Sequence, residues 1–268
     1  PRVPGGLSLA ALLTPELQWV TDRPVTDITR YSGMAYRQFR YGPMTQAGVP
    51  PEYVQLPDAF NPRTRQMAQA MLNDPRNAGG TPALVRAAME LLRGGGYVYT
   101  LEPGVYGQHT ADKFWFDRKA GFCEHIASSF VVLMRSMGVP ARIVTGYQGG
   151  ERNPVDGFWT LRQADAHAWA EVWVAGEGWV RVDPTSAVSP GRIGAFQRLS
   201  APQGVVAAAF GAVNPTLAAN LRAVWEAVNN GWNQWVLNYT QSKQLDLLKN
   251  IGFSSPSWED LSYVLLGL

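Results

Sequence analysis

One cysteine, Cys123, is all that the 268 residues contain. A lone thiol excludes an internal disulfide and any cysteine-built metal cluster, and leaves a choice between an apolar filler and a reactive group. Charge is scarce too: 16% of the residues are Asp, Glu, Lys or Arg, against roughly 25% in an average soluble protein. The formal net charge is +2 with no dense basic run, so nothing supports binding to nucleic acid. No run of 18 or more apolar residues occurs, which excludes a spanning helix within this sequence. No acidic loop of the calcium-binding kind is present, and no cofactor is expected.

No signal peptide is visible within these residues, because Pro1-Arg2-Val3-Pro4-Gly5-Gly6 lacks the charged, apolar and cleavage-site order. There is no initiating Met, and the end is apolar, Leu261-Ser262-Tyr263-Val264-Leu265-Leu266-Gly267-Leu268. The sequence is therefore expected to come from within a longer protein or to follow processing. What is abundant is apolar surface: 46% hydrophobic residues and ten Trp. Such a chain is globular, with room for one large domain or two modest ones.

Punctuation and periodicity divide the chain into three. Residues 1–60, rich in Pro, Gly, Thr and aromatics, read as an irregular wrapping layer with short strands near residues 26–30. Residues 61–200 read as the core. In it, three-four apolar spacing predicts helices over 64–72 and 82–92, the second stopped by Gly94-Gly95-Gly96. A strand over 97–101 and a polar loop to about 112 follow. The clearest helix is 126–137, closed by Gly138 as a left-handed residue before Val139-Pro140. Strands are expected over 141–147, 158–162, 165–173 and 178–185, the last two antiparallel neighbours. Residues 201–268 read as a helical segment with one long helix over 215–243, whose stripe of Leu217, Leu221, Trp225, Val228, Trp232, Trp235 and Tyr239 is expected to pack into the core, a membrane-surface or partner role being the alternative.

Cys123 stands directly before the clearest helix, where a helix N-terminus and a nearby imidazole lower a thiol pKa from roughly 8.5. The bland alternative is a buried Cys, among the most frequently buried residue types. Of the three histidines, His125 is two residues along the same helix and, at about 100° per residue, points away from the thiol. His109 lies in the polar loop. His167 remains as the candidate base, in the middle of an apolar strand, against the alternative of a core histidine satisfied by a carbonyl.

Strand alternation places His167, Trp169, Glu171 and Trp173 on one face, and Trp179, Arg181 and Asp183 together on the next strand. A two-residue turn would pair Asp183 with Ala170 and direct it away from His167. A three-residue loop, Ala175 to Glu177, pairs Asp183 with Trp169, diagonal to His167 at roughly 7 Å between backbones. An odd loop or a bulge is therefore expected if Asp183 orients His167. Its alternative is a surface Asp capping a turn before Pro184. Asp165, two residues before His167, is the weaker candidate for that orienting role.

Taken together, Gly121-Phe122-Cys123-Glu124-His125, Gly138-Val139-Pro140-Ala141-Arg142, Thr145-Gly146-Tyr147, His167-Ala168-Trp169-Ala170-Glu171-Val172-Trp173 and Trp179-Val180-Arg181-Val182-Asp183-Pro184-Thr185 resemble the core of the transglutaminase-like superfamily. The helix after Asn61-Pro62, the Tyr97 strand and the Trp-rich helix after Pro215 further resemble the extracytoplasmic domain of bacterial membrane-anchored transglutaminases. The resemblance implies an α+β, papain-like fold, Cys123 as nucleophile, His167 as general base and acid, and Asp183 as orienting carboxylate. It implies a glutamine-bearing protein or peptide donor, an amine acceptor, and a periplasmic domain anchored in the inner membrane through segments beyond 1–268. For the oxyanion, the backbone N–H of Cys123 is one candidate donor and Trp115 a second. Trp169 and Trp173 are candidate walls of an amine channel, with core packing the alternative for Trp173. Hydrolysis by a cysteine protease or amidase is the neighbouring reading, and a catalytically silent interaction domain the bland one.

Overall fold

The computed structural model describes residues 11–14, 16–26, 34, 36, 38–190 and 215–237, with side chains of the last stretch described over 220–232. The described residues fall into two compact units, one within 37–151 and 159–203, the other within 1–36, 152–158 and 204–268.

In the larger unit, helix α1 (Pro62–Asn73) begins with a proline where the missing N–H costs nothing. Its N-terminus is finished by a distant residue. The Asp112 carboxylate accepts from the N–H groups of Arg63 and Thr64 at 3.0 and 2.7 Å and from Thr64 Oγ1 at 2.6 Å. In return Asn61, left-handed at φ 53°, turns its Oδ1 to the N–H groups of Ala111 and Asp112. Asn is one of the few residues that tolerate that conformation. Helix α2 (Thr81–Gly94) follows and ends at the glycines as expected.

Strand β3 is shorter than the 97–101 expected, Val98–Tyr99, and pairs in parallel with β4 (Ala120–Gly121). The stretch between them is not all loop. Helix α3 (Thr110–Asp112) runs into a π-helical turn, Lys113–Arg118, that buries Phe114 and Trp115. His109, at the end of this loop, is held in place: its Nδ1 accepts the Asn61 N–H at 3.1 Å.

Helix α4 (Cys123–Ser136) is the centre of the unit. Ile126, Phe130, Leu133 and Met134 are fully buried and share one core with Leu84, Ala88 and Leu92 of α2. Gly138, at φ +74°, closes the helix, and the Val139 N–H returns to the Met134 carbonyl. Strand β5 (Ala141–Tyr147) then follows, as its β-branched content requires. Two short strands, β6 (Glu151–Arg152) and β7 (Trp159–Thr160), interrupt the loop before β8 (Ala166–Val174) and β9 (Gly178–Val182). The antiparallel sheet has the order β5-β8-β9, and Ala170 and Val172 of β8 join the core with α4. A short helix, α5 (Thr185–Val188), ends this unit's described part.

Residues 40–55 close the other side of the β8–β9 hairpin. Trp173 Nε1–H donates to the Pro43 carbonyl at 2.6 Å, the Gly176 N–H to Met44 and the Trp179 N–H to Tyr41. Gly178, at φ +82°, allows the approach: a Cβ there would lie 2.2 Å from the Tyr41 carbonyl oxygen. Beneath this layer Arg142 is held by Glu171 at 2.7 and 2.9 Å and by the Tyr41 hydroxyl at 3.2 Å. The Trp179 ring covers it at 4.4 Å. Burial opposes the charge of Arg142, yet the hydrogen bonds with Tyr41 and Glu171 outweigh it and hold its pKa above the usual guanidinium value.

In the smaller unit, β1 (Ala11–Leu13) pairs antiparallel with β2 (Trp19–Thr21). The strands expected at 26–30 lie largely outside the described residues. Helix α6 (Pro215–Leu237) covers the described part of the long C-terminal helix, residues 238–243 lying outside. The part of its stripe whose side chains are described is not core: Leu221, Trp225, Val228 and Trp232 are each at least 60% exposed. Periodicity shows only that apolar side chains share a face, and a covering surface has to come from elsewhere in the fold. Among the described residues no helix is long and apolar enough to cross a membrane.

Candidate active site

Phe122, with extended backbone, precedes the first turn of α4, so Cys123 is the first helical residue. The parallel β3–β4 pair fixes that approach, with Tyr99 opposite Gly121 and the Thr100 N–H on the Gly121 carbonyl at 2.9 Å. A helix start presents N–H groups with no acceptor inside the helix and the positive end of its dipole. Cys123 is 8% exposed and packs with Ala127 and Ala168, bordered by Tyr99 and Phe122.

His167 lies one residue into β8, its side chain 2% exposed. Its Nε2–H donates to Asp183 Oδ2 at 2.8 Å. An ionised carboxylate can only accept, so this contact fixes the ring tautomer and leaves Nδ1 for another partner. The Cys123 side chain is the other hydrogen-bonding group that acts on the ring. Burial pulls the imidazole pKa down, but hydrogen bonds to Asp183 and Cys123, with the charges of both, carry it up to about 9.

Asp183 follows the last residue of β9. The observed register, Ala170 with Val182 through Val174 with Gly178, leaves three loop residues, 175–177. The count is odd, as the orientation of Asp183 toward His167 required. Continued by one step, this register sets Asp183 across from Trp169. The backbone beyond is fixed by Ser186, whose N–H and Oγ both donate to the Asp183 carbonyl, at 3.1 and 2.6 Å. The turn is thus held by the Asp183 backbone and its carboxylate is left for His167.

Two other ionisable groups considered from sequence are engaged elsewhere. Asp165 is not on the strand with His167. It ends a short 3-10 turn, Gln163–Asp165, where its Oδ2 accepts the Arg162 N–H at 2.7 Å. His125 packs against Tyr106 and Phe122, with ring centroids at 4.6 and 4.4 Å. Burial holds its pKa below the ordinary imidazole value, against the pull of Glu124.

The tryptophans divide. Trp115 is 1% exposed and its indole N–H donates to the Ser129 carbonyl at 3.1 Å, so it has no donor left for an oxyanion. Trp173 is buried and tied to Pro43, which makes it a strut of the N-terminal layer and not a channel wall. Trp169 alone stays at the site, stacked near His167 at 6.2 Å between centroids. Its ring passes over Gly146, where a Cβ would lie 3.0 Å from the indole. Arg181, which was expected only to share a strand face with Asp183, lies with its guanidinium over the Trp169 ring at 4.2 Å and reaches Asp183 Oδ2 at 3.4 Å. Among the described residues no group of three or more His, Cys, Asp or Glu could hold a metal ion.

Comparison with known proteins agrees with this architecture. The profile of the transglutaminase-like superfamily matches residues 65–184, a span that holds Cys123, His167 and Asp183. A protein-glutamine gamma-glutamyltransferase of Pseudomonas aeruginosa is 39% identical over 200 residues, 71% of this chain but 29% of that protein. The uncharacterized protein YebA of Bacillus subtilis is 34% identical over 140 residues, 50% of this chain and 19% of its own. The chain therefore spans less than a third of the length of either relative. The crystal structure of the periplasmic domain of TgpA from Pseudomonas aeruginosa superposes with a TM-score of 0.52 at 40% identity, covering 58% of this chain and 55% of that one. These similarities support an α+β, transglutaminase-like (papain-like) fold, with the Cys123 helix packed on the antiparallel sheet and the resemblance to the superfamily carried by residues 65–184.

Proposed function

We propose that this domain is a cysteine acyltransferase of the protein-glutamine gamma-glutamyltransferase kind, with Cys123 as nucleophile, His167 as acid and base, and Asp183 as its orienting partner. The observation that supports this reading best is the continuous hydrogen-bonded line from Cys123 through His167 to Asp183. An imidazole pKa of about 9 favours an imidazolium beside a thiolate at neutral pH, which is the reactive form of such a pair.

The steps follow from these groups. The Cys123 thiolate attacks the carboxamide carbon of a glutamine side chain, and the charge that develops on oxygen is received by the backbone N–H of Cys123 at the helix start. His167 gives its proton to the departing nitrogen, ammonia leaves, and a thioester remains. An amine acceptor then gives a proton to His167 as it attacks the thioester, forming an amide bond and releasing the thiolate. Trp169, beside His167, is the wall along which that acceptor would enter.

In this reading residues 61–200 are the catalytic core, 1–60 its wrapping extension, and 201–268 a helical segment leading to an anchor. The work would be done in the periplasm at the inner membrane, as the likeness to a periplasmic domain suggests. Incorporation of a labelled primary amine into a glutamine-bearing protein, run beside ammonia release without amine, tests the reaction. Incorporation that is lost in Cys123→Ala is expected. Ammonia release without incorporation would assign an amidase or protease, and neither signal would overturn the enzyme reading.

A further inference from the structure

Asp183 Oδ2 serves two donors. Besides His167 Nε2–H at 2.8 Å, Arg181 Nη2 stands 3.4 Å away. Among the described residues Asp183 Oδ1 is buried with no hydrogen-bond partner, so the polar contacts of the carboxylate pass through one oxygen. Arg181 is itself constrained. Its guanidinium lies on Trp169 at 4.2 Å, and Trp169 lies near-parallel to His167, with 24° between the ring planes. Glu171 is directly across the ladder from Arg181 and would be its natural ion-pair partner, but it is held by Arg142.

We infer that Arg181 is a positioning residue: it anchors Asp183 from the solvent side and presses Trp169 toward His167, so that the carboxylate and the imidazole keep one mutual orientation. The inference rests on the reading of Cys123, His167 and Asp183 as the reacting set. An Asp side chain just beyond a strand end turns about two bonds, and a second donor on the same oxygen removes that freedom. The guanidinium suits both tasks, since its plane stacks on an indole while its edge donates to a carboxylate. With its side chain 52% exposed, Arg181 stands between the pair and water.

The charged groups around His167 are few. Cys123 comes from α4, with Glu124 beside it and His125 turned into Tyr106 and Phe122, while Arg181 comes from β9 and Asp183 is the residue that follows that strand. On β5 and β8 the next charges, Arg142 and Glu171, are paired with each other, and Asp165 caps its own turn.

Alkylation of Cys123 by iodoacetamide tests this without any glutamine substrate. At about pH 6 the thiolate exists only as the partner of a well-held imidazolium, whereas at about pH 10 any accessible thiol is ionised. Arg181→Ala is expected to slow alkylation about 10-fold at about pH 6 and to match the wild type at about pH 10. Arg181→Lys, which keeps a donor for Asp183, is expected to recover the rate at about pH 6 to within about threefold. Equal rates in wild type and Arg181→Ala at about pH 6 would overturn the inference. So would the same loss at both pH values, since it would report altered access to the sulfur. A wild type unreactive at about pH 6 would instead defeat the reading of the three residues on which the inference rests.

Discussion

Asp183 faces His167 because three residues, not two, join β8 to β9. Side chains alternate along a strand, so a one-residue change in the turn sends Asp183 to the opposite face of the sheet. Deleting Ala175 is expected to abolish rapid alkylation of Cys123 at about pH 6 and to lower amine incorporation at least about 100-fold. A deletion variant that folds, by circular dichroism, and keeps both would show that Asp183 has no orienting role.

Asp183→Asn keeps the shape and removes the charge. The amide holds an imidazolium poorly and can stabilise the wrong tautomer of His167, a change that costs about 10⁴-fold in kcat in the Ser-His-Asp proteases. A loss of about 100-fold or more in kcat for amine transfer is expected here, with little change in KM for the glutamine donor, because in the proposed mechanism Asp183 acts through His167, its hydrogen-bond partner. A loss seen only in KM would move Asp183 out of the reacting set.

The raised pKa of His167 has a consequence for stability, whose sign follows from linkage. The folded protein binds this proton more tightly than the unfolded chain, whose imidazole titrates near 6.5, against about 9 when folded. The stabilisation is therefore complete below about pH 6.5 and is lost as pH rises through about 9. Urea unfolding of wild type and His167→Gln should differ most at about pH 6 and converge by about pH 9.5. A gap that is constant across this range would show that the proton is not held by the fold.

Arg142 and Glu171 are paired beneath Tyr41 and Trp179, with side chains 11% and 19% exposed. Glu171→Ala strands a guanidinium among aromatic rings and is expected to cost about 3–5 kcal/mol in urea unfolding. Replacing both, Arg142→Met with Glu171→Leu, should recover much of that loss, since no unpaired charge is left behind. If the double variant is as unstable as the single one, the N-terminal layer depends on the charge pair itself.

Phe130 is fully buried at the middle of α4, in the core that supports the helix start. Phe130→Ala is expected to cost about 3–5 kcal/mol. A midpoint shift in denaturant with an unchanged slope would confirm loss of packing without a change in the unfolded state.

By itself the sequence determined whatever depends on near neighbours. The apolar spacing of 126–137, Gly138 as its stop, Gly94 to Gly96 as another, and the β-branched run of 141–147 each produce the element they predict, because propensity and alternation act within a few residues. Even the odd turn before Gly178 was accessible, since parity is a count along the chain. The tertiary structure alone decided where polar donors are used. Trp115 gives its N–H to Ser129, Trp173 to Pro43 across 130 residues, and Asp112 caps a helix that begins 50 residues earlier, at Pro62. Arg181 likewise had an assigned face but needed the folded sheet to bring it onto Trp169 and Asp183. A buried donor takes whichever acceptor packing delivers, and packing joins segments whose separation in sequence carries no periodic signal.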